Sequence, residues 1–325
     1  MSFGQYLGIE YVLTMFIMLV YAASLKKSGL FDIFFQEVFK RTGPKTGFLI
    51  VLTIIYFFSP LFLIPVLIGS IQDISMRYKN KNIALSILLS ALTFGSVILP
   101  FGNPRNFYYI IYYKSVNGTP LFFSEFLRIM FPIWIMMYFV ILFTAIIVLK
   151  PELNGEISLR SKKFRYKEII FVSFLLIFII AYAMGKMNFL GFFFVTGFFI
   201  FTFVGKDTLK KVEWWMLIPI SLSIPLGILI FTHPVKMTGI FTYLVTFFSS
   251  GIITSDVSTF IFPYPLAKPI NFLYGISAGA TFGILGSSLS IYLWKKGRVK
   301  PDMRTLFIIS ALAFLVGLII IIIWR

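Results

Sequence analysis

Residues 95–106 read Gly95-Ser96-Val97-Ile98-Leu99-Pro100-Phe101-Gly102-Asn103-Pro104-Arg105-Asn106, and they sit inside a long apolar segment, 83–113. Two prolines and two glycines this close cannot continue a helix. Proline lacks the amide hydrogen and clashes with the preceding turn, and glycine loses the most backbone freedom. A turn at a helix end in water would tolerate them, but apolar sequence on both flanks argues against water. At membrane depth a broken backbone must be buried in protein or line a cavity. The amides freed at a half-helix N-terminus attract anions, and Asn103 and Asn106 add amide donors and acceptors.

Composition makes lipid the solvent. Of 325 residues, 59% are hydrophobic and 13% charged, with a mean hydropathy of +0.94. A soluble domain carries roughly 25% charged residues, so this chain lacks the polar surface to coat a globule. Apolar runs of about 20 residues, the length a helix needs to cross a bilayer, recur throughout. The expected fold class is all-α, a polytopic membrane protein. The net charge of +17 is carried in short loops, as for anchors on an anionic leaflet rather than a nucleic-acid surface. The absence of cysteine excludes disulfides and thiolate metal sites. The single histidine, His233, stands beside Pro234 in a loop, and one imidazole makes no zinc site. The first apolar run has no basic n-region and no small-residue cleavage site, which reads as a retained helix.

The apolar segments are 8–24, 46–70, 83–113, 121–149, 168–185, 189–204, 213–231, 238–267, 271–294 and 303–324. Residues 29–42 are amphipathic, with Phe31, Phe34, Phe35, Val38 and Phe39 on one face, as in a helix lying in the membrane interface. Segment 46–70 has basic residues on both flanks: Lys26, Lys27, Lys40, Arg41 and Lys45 before it, Arg77, Lys79 and Lys81 after it. Ser59-Pro60 interrupts its middle. A re-entrant hairpin opening to the cytoplasm satisfies both features, and 238–267 reads as a hairpin opening outward. All Lys and Arg then fall inside except Arg105, Lys114, Arg128, Lys186, Lys236, Lys268 and Arg325, in keeping with the positive-inside rule. This arrangement puts the N-terminus outside and the basic loops in the cytoplasm, most simply at the plasma membrane.

Each half now ends with a hairpin, an interrupted segment and a plain span. The expected organisation is a first inverted repeat, 1–149 (hairpin 46–70, broken helix 83–113), a basic cytoplasmic linker, 150–167, and a second inverted repeat, 168–325 (hairpin 238–267, broken helix 271–294). Inverted repeats with broken helices meeting near the midplane are a transporter architecture. The second interrupted segment runs from Gly275 to Ser290 and is dense in glycine and hydroxyl residues; such residues serve either a break or close helix packing. Near the second hairpin tip stand Thr254-Ser255-Asp256-Val257-Ser258-Thr259. An ionisable Asp256 in an apolar span marks function: it binds a cation directly, or takes up a proton if desolvation raises its pKa. Its structural alternative is to cap a half-helix.

At these residues the chain resembles the ion transporter superfamily of arsenite permeases, NhaD-type sodium/proton antiporters, citrate transporters and divalent-anion/sodium symporters. Pro100-Phe101-Gly102-Asn103-Pro104-Arg105-Asn106 is similar to that superfamily's P-x-G-N-P-x-N in the first broken helix. Ser255-Asp256-Val257 resembles its S-N-V-P hairpin tip, Gly279 to Ser290 its second broken helix, and Val212-Glu213-Trp214 a V-D-W that opens a helix. The likeness covers about residues 45–325. It departs from the pattern in the reduced tip Ser59-Pro60, in Asp256 and Ser290 where asparagine is usual, and in a shortened N-terminal half. It implies a substrate site between two hairpin tips and two broken helices, formed by Ser59, Gly102, Asn103, Pro104, Asn106, Ser255, Thr259, Gly286, Ser287 and Ser288, with Asp256 carrying the coupling ion.

The function expected is a secondary active transporter of an inorganic or carboxylate anion, coupled to Na+ or H+ and working by alternating access. A cation/proton antiporter on the same scaffold and a transport-inactive membrane subunit are the alternatives. The partners expected are a small anionic substrate, the lipid bilayer and, as is common in that superfamily, a second copy in a homodimer; no nucleic acid and no further cofactor are expected. An enzyme is disfavoured: there is no histidine in an apolar span, no paired acidic motif, no H-E-x-x-H and no nucleotide-binding G-x-x-x-x-G-K-[ST] loop.

Overall fold

The computed structural model describes residues 3–59, 64–99, 106, 109, 123–149, 165–210, 212, 214, 239–253, 269–280 and 297–323. Among these residues the regular structure is helical: α1 (Phe3–Ser28), α2 (Leu30–Arg41), α3 (Pro44–Phe58), α4 (Ile64–Ser75), α5 (Lys81–Gly95), α6 (Phe123–Val148), α7 (Tyr166–Ala183), α8 (Phe189–Phe203), the single turn α9 (Lys206–Leu209), α10 (Gly239–Ile253), α11 (Pro269–Gly279) and α12 (Met303–Ile323). Most of segment 213–231, most of the 150–167 linker and the second leg of segment 238–267 lie outside the described residues.

Helices α6 and α12 are each long and apolar enough to cross a membrane alone, and α1 with α2 passes as a pair bent by 47°. The bend falls at Gly29, whose φ of 72° suits a residue without Cβ. In α12 the buried residues Thr305, Leu306, Ile309, Ser310, Ala313, Gly317 and Ile321 form one stripe. Phe307, Ile308, Leu315 and Ile322 point outward and are as apolar as the stripe. Only lipid makes such an outer face favourable. By contrast, α5 is buried at every residue from Ala84 to Gly95, and α1 is buried over most of Met15–Leu25 between α4, α7, α8 and α9. On α2 the expected apolar face is split: Phe35 and Phe39 are buried while Phe34 is exposed.

The described parts of the basic loops gather at one end of the molecule. Lys27 Nζ meets Glu168 Oε1 at 3.1 Å and donates to Thr208 Oγ1 at 3.0 Å, tying the C-terminus of α1 to the start of α7 and to α9. Ser70 Oγ donates to Asp32 at 2.6 Å, and Arg298 faces Asp73 at 3.6 Å. Asp302 N donates to Ser86 Oγ at 2.6 Å, which starts α12 beside α5. Tyr78 OH donates to Pro44 O at 2.8 Å and its ring meets Phe48 edge-on at 5.1 Å. The chain that enters α3 at Pro44 has therefore come back beside that point after α4, so α3 and α4 together turn back on themselves. At this end Trp214 also stacks on Phe16, with centroids 5.3 Å apart.

Candidate functional site

Among the described residues α5 ends at Gly95 and α11 at Gly279, and the continuation of each expected broken helix lies almost wholly outside the described residues. After Gly95 the first continues in turns to Leu99. Carbonyls at and just beyond these helix ends accept from side chains. Trp134 Nε1 of α6 donates to Gly95 O at 3.1 Å. Asn106 Nδ2 donates to Val97 O at 2.9 Å and to Leu99 O at 3.2 Å. In the second half, Ser310 Oγ of α12 donates to Ala278 O at 3.0 Å, in the last turn of α11. A broken backbone in an apolar surround is stable only when its polar groups are paired in this way.

The C-terminal ends of α5 and α11 are brought to the same part of the fold. Helix α6 holds both, since Tyr274 OH of α11 donates to Ile129 O at 2.6 Å little more than one turn from Trp134. Helix α12 measures the same level: it starts at Asp302 beside Ser86 and reaches Ala278 at Ser310. Gly95 follows Ser86 by about as many residues as Ser310 follows Asp302. Helix α5 enters alongside α12 from the basic end. Helix α11 runs against α12, because Ala278 pairs with Ser310 whereas Gly275 packs on Tyr243, which in turn reaches Phe314.

One set of contacts occurs twice. Tyr56 OH of α3 donates to Trp134 O at 2.5 Å, the two rings lie 5.5 Å apart, and Ser59 Oγ donates to Tyr56 O at 3.1 Å. Gly95 packs against Tyr56 O and Ser59 Oγ so closely that a Cβ would overlap both. Tyr243 OH of α10 donates to Phe314 O at 2.6 Å, the rings stack at 5.4 Å, and Thr246 Oγ1 donates to Tyr243 O at 3.1 Å. Gly275 packs against Tyr243 O and Thr246 in the same way. Gly95 precedes Trp134 by the same interval at which Gly275 precedes Phe314. The tyrosine, the hydroxyl residue after it, the glycine and the aromatic residue on the span correspond one to one.

Of the residues expected at the site, the structure describes Ser59 and Asn106. Both are buried, at 0% and 1% exposure. The hydroxyl hydrogen of Ser59 is engaged by Tyr56 O and both amide hydrogens of Asn106 by the backbone of the break, so each has only oxygen lone pairs left to offer. Gly102, Asn103, Pro104, Ser255, Asp256, Thr259, Gly286, Ser287 and Ser288 lie outside the described residues. Residues that sequence reasoning passed over are Tyr56, Trp134, Tyr243, Thr246 and Ser310, which hold the breaks, and Ser277, whose Oγ is buried without a partner in the last turn of α11. The signal was present as Tyr-x-x-Ser and Tyr-x-x-Thr, each at a comparable distance before a glycine. Gly275 and Gly279 serve close packing, the second of the two readings open to them. Among the described residues there is no group of His, Asp or Glu able to hold a metal ion.

Among the described residues the fold is thus that of an all-α membrane protein with apolar spans and one bent helix pair. No protein-family model matches the chain, and no curated protein matches it. Among solved structures it is similar to the YdaH transporter of Alcanivorax borkumensis, a protein described as having an unusual topology. The TM-score is 0.57 at 11% identity, over 99% of this chain and 86% of that one. The chain has the fold of a membrane transporter along essentially its whole length.

Proposed function

We propose that the chain is a secondary active transporter that moves an inorganic or carboxylate anion across the plasma membrane by alternating access, coupled to Na+ or H+, as a relative of the ion transporter superfamily. The observation that carries this is the convergence of the C-terminal ends of α5 and α11, the two helices that the sequence leads us to expect broken, on the same part of α6 and α12, in a fold similar to that of a transporter. Breaks of this kind line substrate and ion sites in transporters. The doubled tyrosine lock supports two related repeats, 1–149 and 168–325. Substrate is held by Gly102, Asn103, Pro104, Ser255, Thr259, Gly286, Ser287 and Ser288. Asp256 carries the coupling charge, and Ser59 and Asn106 face the site through their oxygens. The basic end lies in the cytoplasm, the working assembly is a homodimer, and no bond in the substrate is made or broken.

One observation favours the cation/proton antiporter as the second reading. The two described site residues have their donors engaged and offer acceptors alone, which suits a cation better than an anion.

The test is thermal unfolding of the purified protein across anions and Na+ at two pH values, since a ligand that binds the folded state raises its apparent stability. A shift with one anion that disappears in Asp256→Ala or Asn103→Ala supports the anion transporter. A shift with cations alone, also lost in Asp256→Ala, supports the antiporter. A folded protein that responds to no ion refutes both and leaves a membrane subunit without transport.

A further inference from the structure

Helices α10 and α11 pack side by side in parallel, and glycines on α11 set their register. Gly275 lies against Tyr243 and Thr246, and Gly279 against Phe247 and Ser250. One turn earlier the same register brings Asn271 to Thr242. Both residues are buried, at 3% and 1% exposure. Asn271 Oδ1 and Thr242 Oγ1 nevertheless have no hydrogen-bond partner. The next hydroxyls along α10 differ: Thr246 Oγ1 donates to Thr242 O at 2.7 Å and Ser250 Oγ to Thr246 O at 2.6 Å.

Two unmet oxygens in one register of an apolar interior mark a place for an occupant, and their chemistry selects it. The amide oxygen of Asn271 only accepts, so the occupant carries a hydrogen. The Thr242 hydroxyl both donates and accepts. Each residue stands in the first turn of its helix, where free amides make the local potential positive, which disfavours a cation. We infer that Thr242 and Asn271 form a binding site for a single O–H group of a neutral or anionic molecule. The source of that group is one buried water or the hydroxyl of a protonated oxyanion such as hydrogen phosphate. The site lies toward the end of the molecule opposite the basic loops, since α12 starts at that basic end and meets α10 further along, at Phe314 and Gly317. It is independent of the transport reading and of every residue assigned to it above.

The experiment is a thermal-unfolding double-mutant cycle on the whole purified protein: Thr242→Val, Asn271→Leu and the pair. If one occupant bridges both side chains, each single change lowers Tm by several degrees and the double variant falls no further than the worse single. Thr242→Ser, which keeps the hydroxyl, matches the unaltered protein. Should Asn271→Leu fail to fold, Asn271→Ser takes its place. Additive losses, or a Thr242→Ser variant as unstable as Thr242→Val, overturn the site. Inorganic phosphate and sulfate at equal ionic strength then assign the source. A rise in Tm with phosphate but not sulfate, absent from Thr242→Val, identifies a protonated oxyanion, because sulfate has no hydrogen to give Asn271 at neutral pH. Coupled losses with no response to either anion identify water. A phosphate response that survives in the double variant overturns the oxyanion.

Discussion

Replacing Gly275 with alanine adds one methyl group where α11 meets α10. Built on the backbone, that Cβ stands 2.7 Å from Tyr243 O and 3.0 Å from Thr246 Cβ, with Thr246 Oγ1 nearer still, whereas ordinary contact begins at 3.4 Å. Tyr243 O belongs to helix backbone and cannot turn aside, so the helices must part by several tenths of an ångström. Overpacking of this kind costs about 1–3 kcal/mol. Alanine in a helix recovers about 0.5–1 kcal/mol relative to glycine, which leaves a net loss of about 1 kcal/mol at the middle of the two ranges. Gly197 in α8 is the internal control. A Cβ there meets nothing within 4 Å, so Gly197→Ala keeps only the helix-forming gain and stabilises by about 0.5–1 kcal/mol. Gly95→Ala, which overlaps Tyr56 O and Ser59 Oγ, takes the sign of Gly275→Ala. Adding Thr246→Ala to Gly275→Ala removes Oγ1 but leaves Tyr243 O in place, and so restores part of the loss. Denaturant unfolding of the detergent-solubilised protein measures all four variants against the unaltered one. A Gly275→Ala protein as stable as the unaltered one would refute the close approach.

Tyr56→Phe and Tyr243→Phe each remove one buried hydrogen bond to a span carbonyl, at 2.5 and 2.6 Å. Each is expected to cost about 0.5–1.5 kcal/mol, and the two losses should add in the double variant because the locks share no partner; strong coupling in an unfolding cycle would count against two separate locks. Asn106→Ala leaves Val97 O and Leu99 O without a donor, at about 1–3 kcal/mol. Asn106→Asp sets a carboxylate against those two carbonyls and must be the worse of the two, so an equal Tm for both would mean that Asn106 does not hold the break. Lys27→Met deprives Glu168 and Thr208 of their shared partner; a loss of about 1 kcal/mol is expected, reversed in part by Glu168→Gln, and proteolysis of the basic loops should show the ends of α1, α7 and α9 loosening together.

The ends of α3 and α5 were legible because proline and glycine act locally. Pro100, Gly102 and Pro104 exclude a continuous helix whatever surrounds them, and α5 stops at Gly95. Ser59-Pro60 likewise announced an end, and α3 stops at Phe58. The exposed apolar faces of α6, α8 and α12 follow from composition, because residues apolar all round are stable against lipid. The face of α2 was read less well. Phe34 shares the apolar spacing of Phe35 and Phe39 but points away from them, since burial depends on where α3 and α4 lie and not on the spacing alone.

By itself the sequence determined the solvent of this protein, the places where its helices fail, and which loops carry positive charge. Each of these is decided within a few residues by hydropathy, by backbone chemistry or by charge. Only the tertiary structure decided that Tyr56 holds Trp134 and Tyr243 holds Phe314. Tertiary packing also decided that Gly95 and Gly275 are contact points and that Asn106 turns its amide onto the break rather than away from it. Those pairings join residues far apart in the chain, and a tyrosine, a glycine or an asparagine looks the same in sequence whether or not its partner arrives. Packing in three dimensions supplies the partner, and with it the difference between a side chain that binds and one that holds the backbone in place.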